Sequence, residues 1–179
     1  DAHIRNICKN SDWFHRPKNS FYIFSQPLVP VISKEGKWCV SGPLQLIVKP
    51  GGHGVIWKLA QDNHIFDKLQ KAGRSYILVR QINNLVSGMD YGLLAFTGWG
   101  MHEDKSFGFA SCCRRLNATE GMDILIEKQT EQGFDYTITN VEYTEFTKRG
   151  IHDHSVIPGS RFSLYPTNTN ILFAKIEDI

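Results

Sequence analysis

The sequence has no run of about 18 apolar residues, no block of Lys or Arg, and no Cys-x-x-Cys pair. The first absence, together with an amino terminus that shows no charged-then-apolar segment, leads to the expectation of a soluble chain. Twenty basic residues against eighteen acidic ones leave a net charge of +2 spread along the chain, so neither a nucleic acid nor an anionic membrane is indicated as a partner, and small molecules are. Cys8, Cys39, Cys112 and Cys113 fit neither a zinc spacing nor a disulfide framework and are expected to be reduced thiols. Asn117-Ala-Thr119 matches a glycosylation sequon, but without a secretory segment it carries no weight. What remains is 179 residues, enough for one sizeable core, read as a single domain over 1–179. Residue 1 is Asp, and no periodic element starts before about Phe21. Residues 1–20 are therefore expected to be an irregular lead-in, and the chain a fragment of something longer.

The stretch from Lys49 to Asn84 organises the rest. Leu44 to Val48 has strand composition; Lys-Pro-Gly-Gly-His-Gly follows; Val55, Ile56, Leu59, Phe66 and Leu69 then recur at the spacing of a helix with one buried face. Gly73 is placed to end that helix, and Tyr76 to Val79 reads as a second strand. This pattern predicts a right-handed crossover between two parallel strands. In such a sheet ligands sit beyond the carboxyl ends of the strands, which would bring the glycine loop and the following Arg-Gln-Ile-Asn-Asn segment to one crevice. Gly51, Gly52 and Gly54 let a ligand approach the backbone, with His53 as the one side chain present. The same residues also suit a tight strand-to-helix turn with a surface histidine.

Elsewhere, Phe21 to Phe24 reads as a buried strand broken at Pro27, with Gln26 at its carboxyl end, where it is either a ligand contact or an exposed turn amide. Tyr91 to Phe96 suggests a short helix ending at Gly98-Trp-Gly100. Residues 107–112, 122–127 and 134–143 read as strands, with 127–133 as a hairpin loop. The sum is an α/β domain whose mixed sheet is parallel in its first half and antiparallel in its second. His152-Asp-His154 is flanked by Gly150 and Pro158-Gly159, which mark a loop, and no third ligand is fixed, so no metal site is assigned. Phe162 to Tyr165 reads as a strand ended by Pro166. Asn168 and Asn170 after it can present amides to sugar hydroxyls or close an Asx-turn.

Six elements in order then resemble the UDP-sugar pyrophosphorylases, which join UTP to a sugar 1-phosphate. Phe24-Ser-Gln26 with Pro30 resembles their Phe-x-Gln-x-x-x-Pro element, Gly52-His-Gly54 their Pro-Gly-His-Gly loop, and Ile82-Asn-Asn84 stands where they carry Asp-Asn. Asn117-Ala-Thr-Glu120 resembles Asn-Pro-Thr-Glu, Val141-Glu-Tyr-Thr-Glu145 resembles Val-Glu-Tyr-Ser-Glu, and Asn168-Thr-Asn170 matches the Asn-Thr-Asn of the glucose branch. The wording around the glycine loop and Gly108-Phe-Ala-Ser-Cys112 is most similar to plastid-type UDP-glucose pyrophosphorylases and their bacterial relatives.

The resemblance implies a GT-A-like nucleotidyltransferase fold, a Rossmann-like mixed sheet of which this chain would be the central part of the catalytic domain. It implies synthesis of a UDP-sugar, UDP-glucose by wording, in a bacterial cytoplasm or a plastid stroma. Gln26 and Gly52 would bind uridine; His53, Gln81, Asn83, Glu142 and Asn168 would make up the sugar- or phosphate-binding set, and no catalytic residue is assigned. The family's Gly-Gly-x-Gly-x-x-x-Gly loop is not among these residues, so this chain alone is expected to be inactive. Mg²⁺ is the implied cofactor, but Asn83 stands where the family aspartate would hold it, and an amide oxygen is a poorer ligand for a hard cation. The alternative is a non-catalytic sugar-nucleotide-binding or regulatory module.

Overall fold

The computed structural model describes residues 2–82 and 91–179, in two compact units, 1–72 and 73–179. Residues 1–20 are more regular than expected: Ala2–Asn10 forms helix α1 and buries Cys8, followed by short 3₁₀ turns at Asp12–His15 and Lys18–Ser20. Ile4, Ile7 and Cys8 lie three and four residues apart, and this short stripe was hidden among charged neighbours.

In the first unit Phe21–Phe24 is not a strand. The chain pairs instead at β1 (Leu28–Pro30), antiparallel to β4 (Val48–Pro50), while β2 (Val40–Gly42) and β3 (Gln45–Leu46) form a second ribbon turned at Leu44, whose φ is 58°. Pro30 closes its strand at the end of a two-stranded ribbon, a position where a missing N–H is tolerated. Gln26 thus enters a strand where the sequence suggested it left one. The expected single helix is two, α2 (Val55–Asp62) and α3 (Ile65–Lys71), broken at His64, which adopts a left-handed φ of 55°. The Asn63 side chain donates back to the Leu59 carbonyl at 2.8 Å and helps to end α2. The apolar period runs on across the break because Ala60, Ile65 and Phe66 are buried together, with Trp57 stacked 6.4 Å from Phe66.

The second unit carries a five-stranded sheet of β5 (Tyr76–Val79), β6 (Phe107–Cys112), β7 (Met122–Thr130), β8 (Gly133–Val141) and β9 (Thr167–Lys175). Strand β9 is central. Along Leu172–Lys175 it pairs with β5, at the same level with β6, and at Thr167 with both Cys112 and Met122. Every strand pairing among the described residues is antiparallel, so the expected parallel crossover is corrected: β4 pairs with β1 and β5 with β9. The reason is long-range. Tyr76 to Val79 finds its partner almost a hundred residues on, where Ile171, Phe173 and Ala174 are buried.

Phe173 explains two glycines. It is 1% exposed and meets Phe96 at 4.9 Å and Tyr76 at 6.1 Å. A Cβ on Gly100 would collide with the edge of the Phe173 ring, and one on Gly108 would lie 2.5 Å from it. Helix α4 (Tyr91–His102) accordingly runs through Gly98 and Gly100, where an earlier end was expected. The β7–β8 hairpin is longer and its turn tighter than expected, with Thr130 opposite Gly133. Tyr143–Lys148 forms helix α5, absent from the sequence reading. Phe162 to Tyr165 makes only an isolated bridge from Phe162 to Arg115, and the strand begins after Pro166, at Thr167.

Candidate functional site

The loop before α2 is built by its glycines. Gly51 packs against Pro27 and Val55, and a Cβ there would stand 2.9 Å from Val55 Cγ1; its N–H donates to the Pro27 carbonyl at 3.0 Å. Gly52 takes a φ of 94°, a conformation that side-chain-bearing residues rarely adopt. Space is open where a Cβ on Gly52 or Gly54 would point. His53 between them is exposed, as is Gln26.

Gln26 and Gly52, the two expected uridine-binding positions, are in contact: the Gly52 N–H donates to Gln26 Oε1 at 3.1 Å. This bond orients the amide. With Oε1 accepting from the backbone, the Nε2 group is turned the other way as a fixed donor. A side-chain donor beside open space over the glycines makes a small planar ligand edge the natural complement.

In the second unit the structure gathers Glu142 and Asn168. Met122 pairs with both Thr167 and Val141, and Thr167 with Cys112. Ser111 and Asn168 are partners one residue further along, and continuing the same register past the ends of β7 and β8 sets Gly121 and Glu142 in line with them. Side chains in one row share a face, so Glu142 and Asn168 flank Gly121, roughly two strand spacings or 10 Å apart. Glu142 is exposed at the start of α5 and Asn168 half-buried. Asn168 Oδ1 accepts from the Asn170 N–H at 2.6 Å, an Asx-type turn that leaves its Nδ2 as the outward donor. Gln81 follows β5 and is half-buried. Asn83 lies outside the described residues.

His152-Asp-His154 does different work. Arg114, 2% exposed, pairs with Asp153 at 2.7 Å, and the same carboxylate accepts from Ser163 Oγ and, at 2.7 Å, from the Asn117 N–H. Arg114 also donates to the Ala118 carbonyl. This fixes the turn at Asn117, whose φ is 59°. Burial by itself would push the Asp153 carboxyl up, but the bonds from Ser163, the Asn117 amide and Arg114 hold it below the usual Asp range. His154 packs edge-on against Tyr165 at 5.8 Å. Among the described residues no three His, Cys, Asp or Glu side chains converge, so they build no cage for Mg²⁺.

Sequence reading missed Asp123. It is 7% exposed within an apolar strand, accepting from Ser111 Oγ and, at 3.1 Å, from Asn140 Nδ2. The signal was a lone carboxylate in Met-Asp-Ile-Leu-Ile, at the position in the strand's alternation that faces Glu142 and Asn168.

Solved structures of sugar-nucleotide pyrophosphorylases share this fold. UDP-glucose pyrophosphorylase of Leishmania major aligns with 99% of this chain and 37% of its own, at a TM-score of 0.71 and 18% identity. The uridine diphosphate N-acetylglucosamine pyrophosphorylase of Trypanosoma brucei, solved with an inhibitor, aligns with 98% and 33%, at 0.70 and 16%. The class is thus an α/β pyrophosphorylase fold. The model of the UTP–glucose-1-phosphate uridylyltransferase family matches residues 5–178, and the chain belongs to that family. It is 44% identical over 177 residues to the chloroplastic UTP–glucose-1-phosphate uridylyltransferase 3 of Arabidopsis thaliana, covering 98% of this chain and 20% of that protein. UDP-N-acetylglucosamine diphosphorylase 2 of the same plant is 26% identical over 139 residues, 76% of this chain and 26% of its own length. The chain therefore spans a fifth to a quarter of these two relatives. No helix among the described residues is long and apolar enough to cross a membrane.

Proposed function

We propose that the chain is the uridine- and hexose-binding part of a UTP–sugar-1-phosphate uridylyltransferase with a GT-A-like fold, acting in a plastid or a bacterial cytoplasm, with glucose as the hexose. In the reaction a sugar phosphate oxygen attacks the α-phosphorus of UTP; a P–O bond to the sugar phosphate forms, the bond to the β-phosphate bridge breaks, and pyrophosphate leaves. Catalysis of this kind is positioning and charge neutralisation. The observation that carries the reading is the Gly52 bond to Gln26. It supports uracil as the ligand edge because the fixed Nε2 donor suits a uracil carbonyl oxygen and is opposed by the amino group cytosine carries there. Glu142 and Asn168, an acceptor and a donor about two strand spacings apart, suit hydroxyls on two edges of a pyranose ring. His53 and Gln81 are each proposed as a sugar or phosphate contact. Any Mg²⁺ is proposed to be held chiefly by the nucleotide's own phosphate oxygens, since the described residues form no cage for it.

Residues 1–179 contain no Gly-Gly-x-Gly-x-x-x-Gly loop, and no turnover is expected from this length by itself. Binding is the measurement. Calorimetric titration should give a Kd for UDP-glucose and none for GDP-mannose, and Gln26→Ala should erase that preference. Equal binding of both nucleotide sugars, or of neither, in a folded sample would remove uridine from the reading.

A further inference from the structure

A carboxylate buried in a strand costs free energy unless its oxygens are hydrogen-bonded, and Asp123 has both engaged. Its donors come from β6 and β8, the strands at the two ends of the candidate hexose row. Ser111 in β6 is the register partner of Asn168. Asn140 in β8 lies directly opposite Asp123 and two residues before Glu142, on the same face. Asp123 itself is two residues after Gly121. The Asn140 amide is held over Gly121: a Cβ there would lie 2.6 Å from Asn140 Oδ1 and 3.0 Å from Nδ2. One carboxylate thereby ties β6, β7 and β8 together around the first residues of β9, where the hydrogen-bonded ladder between β7 and β9 amounts to the single pair Met122–Thr167. An ionised acceptor makes shorter and stronger bonds than a neutral one, which suits a device that must fix geometry where the backbone ladder is thin.

Resting on the hexose-site reading above, we infer that Asp123 is a positioning residue for the sugar: through Ser111 and Asn140 it sets the spacing between Asn168 and Glu142 and holds the Asn140 amide in place over Gly121. Ser111 and Asn140 act with it and touch no ligand.

UDP-glucose and UMP share the uridine and differ in the hexose, so their ratio separates positioning from general loss of structure. Ser111→Ala and Asn140→Ala each remove one donor and leave the other in place, and Asp123→Asn keeps the volume. In calorimetric titrations of the 179-residue chain, each alanine variant should bind UDP-glucose about tenfold more weakly with UMP unchanged, and Asp123→Asn should fall between them and the parent. Equal weakening of both ligands, or of neither, overturns the inference. If the unsubstituted chain binds UDP-glucose no more tightly than UMP, it is the hexose-site reading that fails, and hydrogen exchange then decides the positioning role without a ligand. In the alanine variants amide exchange at residues 121–123, 140–142 and 167–168 should quicken about tenfold while 76–79 stays protected. Unchanged exchange at those positions, or a rise throughout the unit, overturns it.

Discussion

Gly52 combines two demands that only glycine meets together. Its φ of 94° is unfavourable for any side chain, while its N–H must point at Gln26 Oε1, 3.1 Å away. Because no atom lies within 4 Å of where its Cβ would point, the cost of Gly52→Ala is backbone strain alone, about 1–2 kcal/mol. Thermal unfolding should show that loss. If the loop relaxes to relieve the strain, the Gly52 N–H turns away from Gln26 and the uridine preference falls with it. An unchanged midpoint would mean that the left-handed conformation is not held in solution.

At the scale of elements, the Arg114–Asp153 pair fastens residues 150–166 to the turn at 114–120. The segment between α5 and β9 has no regular structure of its own beyond short turns, and its backbone anchors, Ser163 N–H to the Arg114 carbonyl at 2.9 Å and Leu116 N–H to the Arg161 carbonyl at 2.9 Å, lie beside that ion pair. Asp153→Ala should destabilise the chain by about 3–5 kcal/mol, since Arg114 would be left buried without its counter-charge. The pH dependence follows from the lowered Asp153 value. A carboxyl whose folded pKa lies below its unfolded one, about 3.9, contributes stability that is complete above the unfolded value and is lost as pH falls through the folded one. The thermal midpoint should therefore drop on acidification below about pH 4, and Asp153→Asn, already uncharged, should flatten that acid limb while lowering the plateau. An acid limb identical in both chains would show that other carboxylates set it.

At the scale of the whole molecule, apolar side chains stay exposed: on one face of the β7–β8 hairpin Leu125, Tyr136 and Ile138 are each 60% exposed or more. Surface of this kind promotes association and dye binding. Sedimentation of the 179-residue chain should show concentration-dependent self-association, with replacement of Leu125 and Ile138 by Thr reducing it. A strictly monomeric chain that binds no hydrophobic dye would show that this surface is better solvated than its composition implies.

What the sequence determined by itself was local. The glycine loop before a helix, the end at Gly73 with φ 71°, the strands at 76–79, 107–112 and 122–127, and the hairpin after them are encoded by neighbouring residues, whose conformational preferences act over a few positions. The motifs that resembled pyrophosphorylases were legible for the same reason, and with them the family. The hydrogen bond between Gln26 and Gly52 was not, although the resemblance assigned both to uridine, because the two residues are 26 apart in the chain. Only the tertiary structure decided which strands are neighbours and in which direction. Tyr76 to Val79 could have joined a parallel partner by composition, but β9 offers the buried Phe173 and Ala174, and that packing sets the antiparallel order. The same long-range contacts gave Gly100 and Gly108 their purpose beneath the Phe173 ring, turned Asp153 toward Arg114, paired Asn168 with Ser111, and buried Asp123 where no local pattern marks it. Side-chain periodicity reports that a face is buried, and what it is buried against is settled by residues far along the chain.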